Sequence, residues 1–180
     1  PWRVRASTAQ RARDPGRLRR EGKAIRAAHG ITSPSKYVMD ATCEYYSLAL
    51  KVPSAVIYNP VNTVARDAKW SLGECDRDNI LFVGRFDQLK GGDLVLKVFE
   101  NLLCNNPGLT LDFVGPDRGF EDSQGKTYDW DEYLSTYVPK DVQARIHYHG
   151  MLTAEEIIPL RRRAYVTLVF SRYETFGYVC

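Results

Sequence analysis

The sequence predicts an α/β protein built on a parallel sheet with helices on both faces. Three observations carry that reading. Ile80–Val83 is a continuous apolar run and Leu109–Val114 and Tyr165–Phe170 are largely apolar ones, the pattern of strands covered on both sides. Stretches with helical apolar periodicity lie between the runs, most clearly over residues 93–105. Glycines mark the ends of successive runs, at Gly84, Gly115 and Gly150. The 180 residues allow one ordinary domain, or one domain and part of another.

The elements follow in order. Residues 17–28 read as a helix stopped by Gly30. Ile31-Thr32 is a short extended piece. Ser33-Pro34-Ser35 supplies N-cap chemistry for a helix reaching about Leu50, with one buried side formed from Val38, Met39, Ala41, Thr42, Tyr45, Tyr46 and Leu48. Ser54–Tyr58 is a compact strand broken by Asn59-Pro60, and the polar segment 62–78 reads as linker. Strand Ile80–Val83 then leads to helix 93–105, whose stripe is Leu94, Val95, Val98, Phe99, Leu102 and Leu103. Strand Leu109–Val114 closes at Gly115-Pro116 and is followed by an irregular acidic insertion, 117–129. Residues 130–138 form a short helix and Arg145–His149 the third strand. Thr153-Ala-Glu-Glu156 is a capping box for a helix to about Ala164. Tyr165–Phe170 is the fourth strand. Alternation of this kind gives a Rossmann-like half, with ligands expected beyond the carboxyl ends of the strands.

Composition narrows the function classes. The chain is 44% hydrophobic and 26% charged, as soluble globular proteins are, and its apolar runs are too short to span a bilayer. Net charge is +3, but residues 1–30 carry nine Arg or Lys against two acids while the remainder is net acidic. A basic arm of this kind, residues 1–26, suits peripheral contact with an anionic membrane or a plain solvated helix face. It lacks the interleaved aromatics of a nucleic-acid surface, so no nucleic-acid partner is expected. Cys43, Cys75, Cys104 and Cys180 form no Cys-x-x-Cys pair, and Cys43 and Cys104 fall in apolar helical patterns. A reducing, cytoplasmic setting is expected, with peripheral membrane association left open. His147 and His149 share one face of a strand without a third ligand, so no metal site is expected.

Two loops could carry chemistry. In Gly84-Arg-Phe-Asp-Gln-Leu-Lys-Gly-Gly92, Gly84 lets the chain turn, Arg85 offers a fork for two phosphate oxygens, and Lys90 adds a point charge. Gly91 and Gly92 let backbone N–H groups approach an anion where the next helix begins. This suits a diphosphate. It is neither a Walker loop nor the dinucleotide Gly-x-Gly-x-x-Gly. In Ser171-Arg-Tyr-Glu-Thr-Phe-Gly177, Glu174 can accept hydrogen bonds from sugar hydroxyls, and Gly177 and its neighbours can present N–H groups to phosphate.

Gly84-Arg85 with Lys90-Gly91, Val114-Gly115, Tyr148-His149-Gly150, and Ser171 with Glu174-Thr-Phe-Gly177 together resemble the retaining glycosyltransferases of family 4, of the GT-B fold. Ile31-Thr-Ser-Pro-Ser35 and Ile57-Tyr-Asn-Pro-Val61 resemble the segments joining that family's two domains, and the resemblance covers most of residues 24–180. It implies that residues 1–58 end an amino-terminal, acceptor-side domain, that 59–78 link the domains, and that 79–180 form an incomplete carboxy-terminal, donor-binding domain. It also implies sugar transfer from a nucleotide diphosphate to a carbohydrate or lipid-linked acceptor with retention of configuration. Arg85 and Lys90 would bind the diphosphate and stabilise its departure without a metal or other cofactor. Glu174 would be the first acid of the family's Glu-x7-Glu motif. Thr175, Phe176 and Gly177 would meet sugar or phosphate, and Gly115 and Pro116 would line the base pocket.

The second acid of that motif would fall two residues beyond Cys180, so the chain by itself is expected to be inactive or nearly so. Two other readings stay open: a different GT-B enzyme, such as a sugar-nucleotide epimerase or a phosphorylase, and a non-catalytic nucleotide-sugar-binding module.

Overall fold

The computed structural model describes residues 15–49, 51–61, 65, 69–172, 174 and 177. The chain divides into two compact units, 1–62 with 174–178, and 63–173 with 179–180.

The described part of the first unit holds α1 (Pro15–Ala27), β1 (Ile31–Ser33), α2 (Lys36–Tyr45) and β2 (Ser54–Val56). β1 and β2 run parallel, with Ile31 beside Ser54 and Ser33 beside Val56. Ser35 caps α2 as expected, its side chain accepting from the Val38 N–H. α2 stops at Tyr45, well short of Leu50, and Ser47 takes a positive φ of 50° just past its end. The Tyr46 hydroxyl donates to Glu21 at 2.6 Å, and Arg26 donates to the Tyr46 carbonyl at 2.8 Å, tying α1 to that turn. The apolar side read on α2 is only half-buried; none of its residues is buried.

The second unit holds β3 (Asp76–Val83), α3 (Gly92–Asn105), β4 (Thr110–Val114), β5 (Phe120–Glu121), β6 (Thr127–Tyr128), α4 (Trp130–Tyr137), α5 (Lys140–Gln143), β7 (Ile146–Gly150), α6 (Ala154–Arg163) and β8 (Ala164–Leu168). The main sheet has the order β7-β4-β3-β8, every pair parallel. Taken in chain order, β3 runs to β4 and β7 on one side and the chain then crosses back to β8 on the other. The strand order therefore reverses between β3 and β8, where open α/β sheets bind ligands. The Rossmann-like expectation holds.

Alternation along β3 and β4 divides the core. Ile80, Phe82, Leu111 and Phe113 face α3 and α4 in a large cluster with Val95, Leu96, Phe99, Trp130 and Tyr133. Leu81 and Val114 face the other way, in a smaller cluster with Ala164 and the partly buried Leu152, Ile157 and Leu160 of the α6 side. The α3 stripe is rotated slightly from the one read in the sequence: Leu96 is buried, and Leu94 and Val98 are half-buried.

Three further features differ from expectation. The segment read as linker is structured at its end, because β3 begins at Asp76 and Trp70 Nε1 donates to the Ala164 carbonyl at 2.9 Å. The acidic insertion folds into the β5–β6 hairpin, organised by Asp122, which accepts from the N–H groups of Gln124 and Lys126. Cys104 is exposed at the end of α3 rather than packed as a small apolar residue. The capping boxes of α4, from Asp129 and Glu132, and of α6, from Thr153 and Glu156, are both complete. Among the described residues no helix is long and apolar enough to cross a membrane.

Candidate functional site

The loop leaving β3 is built around Phe86. This fully buried side chain meets Trp130 and Tyr133 edge-on at 5.2 Å each. Its backbone N–H donates to the Pro116 carbonyl at 3.0 Å and its carbonyl accepts from Arg118 at 3.1 Å. With Phe86 fixed, the flanking Arg85 and Asp87 are held near the strand end. Arg85 Nε lies 2.8 Å from Asp87 Oδ2, an ion pair whose N–H is poorly aimed at that oxygen, so the buried Nε–H has no hydrogen-bond acceptor. The Arg85 side chain is 43% exposed and makes no other ion pair among the described residues. Asp87 Oδ1 accepts from the Lys90 N–H at 2.7 Å and the Asp87 carbonyl accepts from Gly92 at 3.3 Å, which folds the loop back on itself.

Gly91 is the N-cap of α3, with φ of 75°, and no side chain caps this turn. A Cβ at Gly91 would lie 2.2 Å from the Phe170 carbonyl oxygen, so only glycine fits against the exit of β8. The α3 amino terminus thus lacks a side-chain cap and carries partial positive charge at the end of the loop that holds Arg85 and Lys90, which suits an anion once the Asp93 carboxylate is paired.

The loop leaving β8 is fastened to this one. The Arg172 N–H donates to the Leu89 carbonyl at 2.8 Å. Its guanidinium takes both oxygens of Asp93 in a fork, at 2.8 and 2.7 Å, and also donates to the Gln88 carbonyl. Asp93 sits buried in the first turn of α3, and its hydrogen bonds hold the Arg172 pKa up. Burial, and then the Asp93 charge, push the Tyr133 hydroxyl to about 12, so it stays neutral.

At the next strand end, Gly115 has φ of 144°. Its N–H donates to the Gly150 carbonyl at 2.7 Å, and Tyr148 donates to its carbonyl at 3.1 Å. Tyr148 stacks on Trp130 at 4.3 Å. Gly84 donates to the Val114 carbonyl at 2.8 Å. The ends of β3, β4 and β7 are thereby stitched together.

Beneath the sheet, on the α6 side, Asp112 is fully buried. It accepts from Asn79 at 2.8 Å and from Arg163, and shares a hydrogen with His149 Nε2 at 2.7 Å; His147 Nδ1 lies 3.6 Å away. Burial pushes its pKa up, but these bonds outweigh burial and leave the carboxyl below its ordinary value of 3.8. The two histidines do share a face, the one turned toward Asp112.

The structure brings Gly84, Arg85, Lys90, Gly91, Gly115 and Pro116 to the carboxyl ends of β3 and β4. Glu174 and Gly177 fall with the first compact unit. Glu174 is half-buried and Gly177 has φ of 80°. Thr175 and Phe176 lie outside the described residues, as do residues 1–14 of the basic arm. Three contributors were not singled out from the sequence: Phe86, Asp87 and the Arg172–Asp93 pair. The Asp87-x-x-Lys90 spacing is a turn signal that could have exposed the second. Nothing local marks the third, whose members are 79 residues apart.

A parallel α/β unit with a glycine- and cation-lined loop at the point where strand order reverses belongs to the Rossmann-like class of doubly wound folds. The model of the glycosyl transferases group 1 family matches residues 66–180, well over half of the chain, which therefore belongs to that family. Among solved structures, the fold is similar to part of TarM, with a TM-score of 0.62 at 12% identity over 88% of this chain and 28% of that one. S. aureus TarM in complex with fondaparinux, alpha-GlcNAc-glycerol and UDP gives 0.63 at 11% identity, with the same shares of the two chains. The pneumococcal O-GlcNAc transferase GtfA in complex with UDP and GlcNAc gives 0.58 at 19% identity over 89% of this chain and 29% of that one. The chain thus spans less than a third of each of these proteins. No curated protein sequence matches it.

Proposed function

We propose that residues 79–180 belong to the donor-binding half of a retaining, family 4-type glycosyltransferase, and that the loop 84–92 receives the diphosphate of a nucleotide sugar. The observation carrying this is the single short loop that carries Arg85 and Lys90 from the end of β3 to the uncapped α3 amino terminus, where the sheet reverses its strand order. Membership of the glycosyl transferases group 1 family supports the reaction class. The UDP held by the similar structures supports a nucleotide diphosphate as ligand.

In this reading the bond from the anomeric carbon to the diphosphate oxygen breaks. The acceptor oxygen bonds to the same face of that carbon, and its proton leaves with the diphosphate. Arg85 and Lys90 stabilise the charge that grows on the leaving group, from positions set by Phe86 and Asp87. Gly84 and Gly91 permit close approach of backbone to phosphate, and Gly115 and Pro116 border the base. Glu174 contacts the transferred sugar, with Thr175, Phe176 and Gly177 beside it. The acceptor is a carbohydrate or a lipid-linked sugar. The same reading gives residues 1–26 as a basic arm suited to an anionic membrane surface, with a cytoplasmic setting, peripheral to the membrane or free of it.

Titration with UDP, ADP and GDP tests the reading. One of them should bind, and Arg85→Ala or Lys90→Ala should each weaken that binding by about tenfold or more. Absence of binding to all three, or unaltered affinity in both variants, would overturn it. Incubation of the whole protein with a labelled sugar nucleotide then separates transfer from epimerisation. Glu174→Ala should lose rate far more than donor affinity.

A further inference from the structure

We infer that Arg172 is a positioning residue for the diphosphate loop, holding the segment that carries Lys90 and Gly91 against the exit of β8. This rests on the reading of loop 84–92 as a diphosphate site.

Arg172 fastens the loop on both sides of Lys90 and Gly91, in addition to the bonds made within the loop by Asp87. Before Lys90, the Arg172 backbone N–H reaches the Leu89 carbonyl at 2.8 Å and its guanidinium reaches the Gln88 carbonyl. After Gly91, the same guanidinium grips Asp93 with both terminal nitrogens. Lys90, Gly91 and Gly92 therefore lie between two anchors provided by a single side chain and its own N–H. The seat of Gly91 against the Phe170 carbonyl adds a third point, two residues earlier on the same exit.

Charge gives this arrangement a second consequence. Asp93 is a buried carboxylate in the first turn of α3, where a diphosphate would arrive. Left unpaired, it would oppose the helix terminus and the cations of the loop. Arg172 pairs with both of its oxygens and cancels that charge at its source. The Arg172 side chain is 34% exposed, and both terminal nitrogens of its guanidinium bond to the loop and α3, at Gln88 and Asp93, which suits a residue acting through the loop. Only Tyr173 separates Arg172 from Glu174 in the sequence. The same short stretch thus carries the loop's fastener and the acid proposed to meet the sugar.

The test compares ligands with and without phosphate. UDP, ADP and GDP are titrated onto the protein, each beside its own nucleoside. Wild type should bind one diphosphate more tightly than its nucleoside. Arg172→Met should cut the diphosphate affinity by about tenfold and leave the nucleoside affinity within about twofold. Arg172→Lys keeps the charge but not the fork and should fall between the two. Adding Asp93→Asn to Arg172→Met should recover part of the loss, because the unpaired carboxylate is gone. Equal losses for diphosphate and nucleoside would mean general structural damage and would overturn the inference, as would no loss for either. If Arg172→Met does not fold, the same comparison on Arg172→Lys decides, read in the same way. Failure of wild type to bind any of the three diphosphates would overturn the site itself, an outcome distinct from an Arg172 variant that leaves a working site unchanged.

Discussion

A Cβ on Gly115 would lie 2.0 Å from the Gly84 carbonyl oxygen, and its φ of 144° is one that side chains rarely adopt. Both penalties fall on backbone, which cannot move aside without breaking the bonds that join the ends of β3, β4 and β7. Gly115→Ala should therefore cost about 3 kcal/mol or more and lower Tm by about 6–12 °C; thermal melting checks it. Asp112 makes a different kind of residue-scale demand. Its pKa in the folded state is depressed, so its stabilising contribution is present above the ordinary value of 3.8 and is lost as pH falls through the lowered one. Asp112→Asn should cost about 2–4 kcal/mol near neutral pH, since Arg163 and His149 lose a buried carboxylate partner. It should also flatten the fall in stability between about pH 5 and pH 2, which denaturant melts across that range would show.

At the scale of elements, α6 depends on its start. Thr153 Oγ1 accepts from Glu156 and the Glu156 carboxylate accepts from the Thr153 N–H, while the helix carries Pro159 inside it and buries no residue fully. With little packing to compensate, loss of the cap should be felt directly. Thr153→Ala should destabilise by about 1 kcal/mol, measured by chemical denaturation. The α3 start is the opposite case, because it has no side-chain cap and its stability comes from Val95, Leu96 and Phe99 beneath. An element held by its packed face can leave its amino terminus bare for a ligand.

Across the second unit, the two faces of the sheet are unequal. The α3–α4 side buries Phe82, Phe86, Phe99, Phe113, Trp130 and Tyr133 together, whereas the α6 side buries Leu81, Val114 and Ala164 above partly covered leucines and isoleucine. Phe113→Ala should cost about 3–5 kcal/mol, and Leu160→Ala about 1–2 kcal/mol because its site is already partly open. Equal losses in paired melts would contradict this division. The asymmetry also suits the proposed chemistry, since the loop that must hold still for a ligand is anchored by Phe86 in the heavier face.

Much of this was legible in order along the chain. A continuous apolar run at 80–83 and a largely apolar one at 109–114 marked strands buried on both faces, Thr153 with Glu156 marked a helix start, and glycines beside Arg85 and Lys90 marked an anion loop. These signals are local, since strand burial, capping and turn chemistry act over a few residues. The hairpin in the acidic segment was missed because its ordering comes from Asp122 side-chain bonds and not from apolar alternation. The early end of α2 was missed because propensity alone does not reveal that its apolar side is only half covered. By itself the sequence determined the alternation of strands and helices, the family resemblance and the cationic loop. Only the tertiary structure decided that Arg172 closes on Asp93, that Asp112 gathers Asn79, His149 and Arg163, and that β8 lies beside β3. Those pairings join residues 33 to 88 positions apart, and where water is excluded their energy depends on geometry that no local pattern encodes.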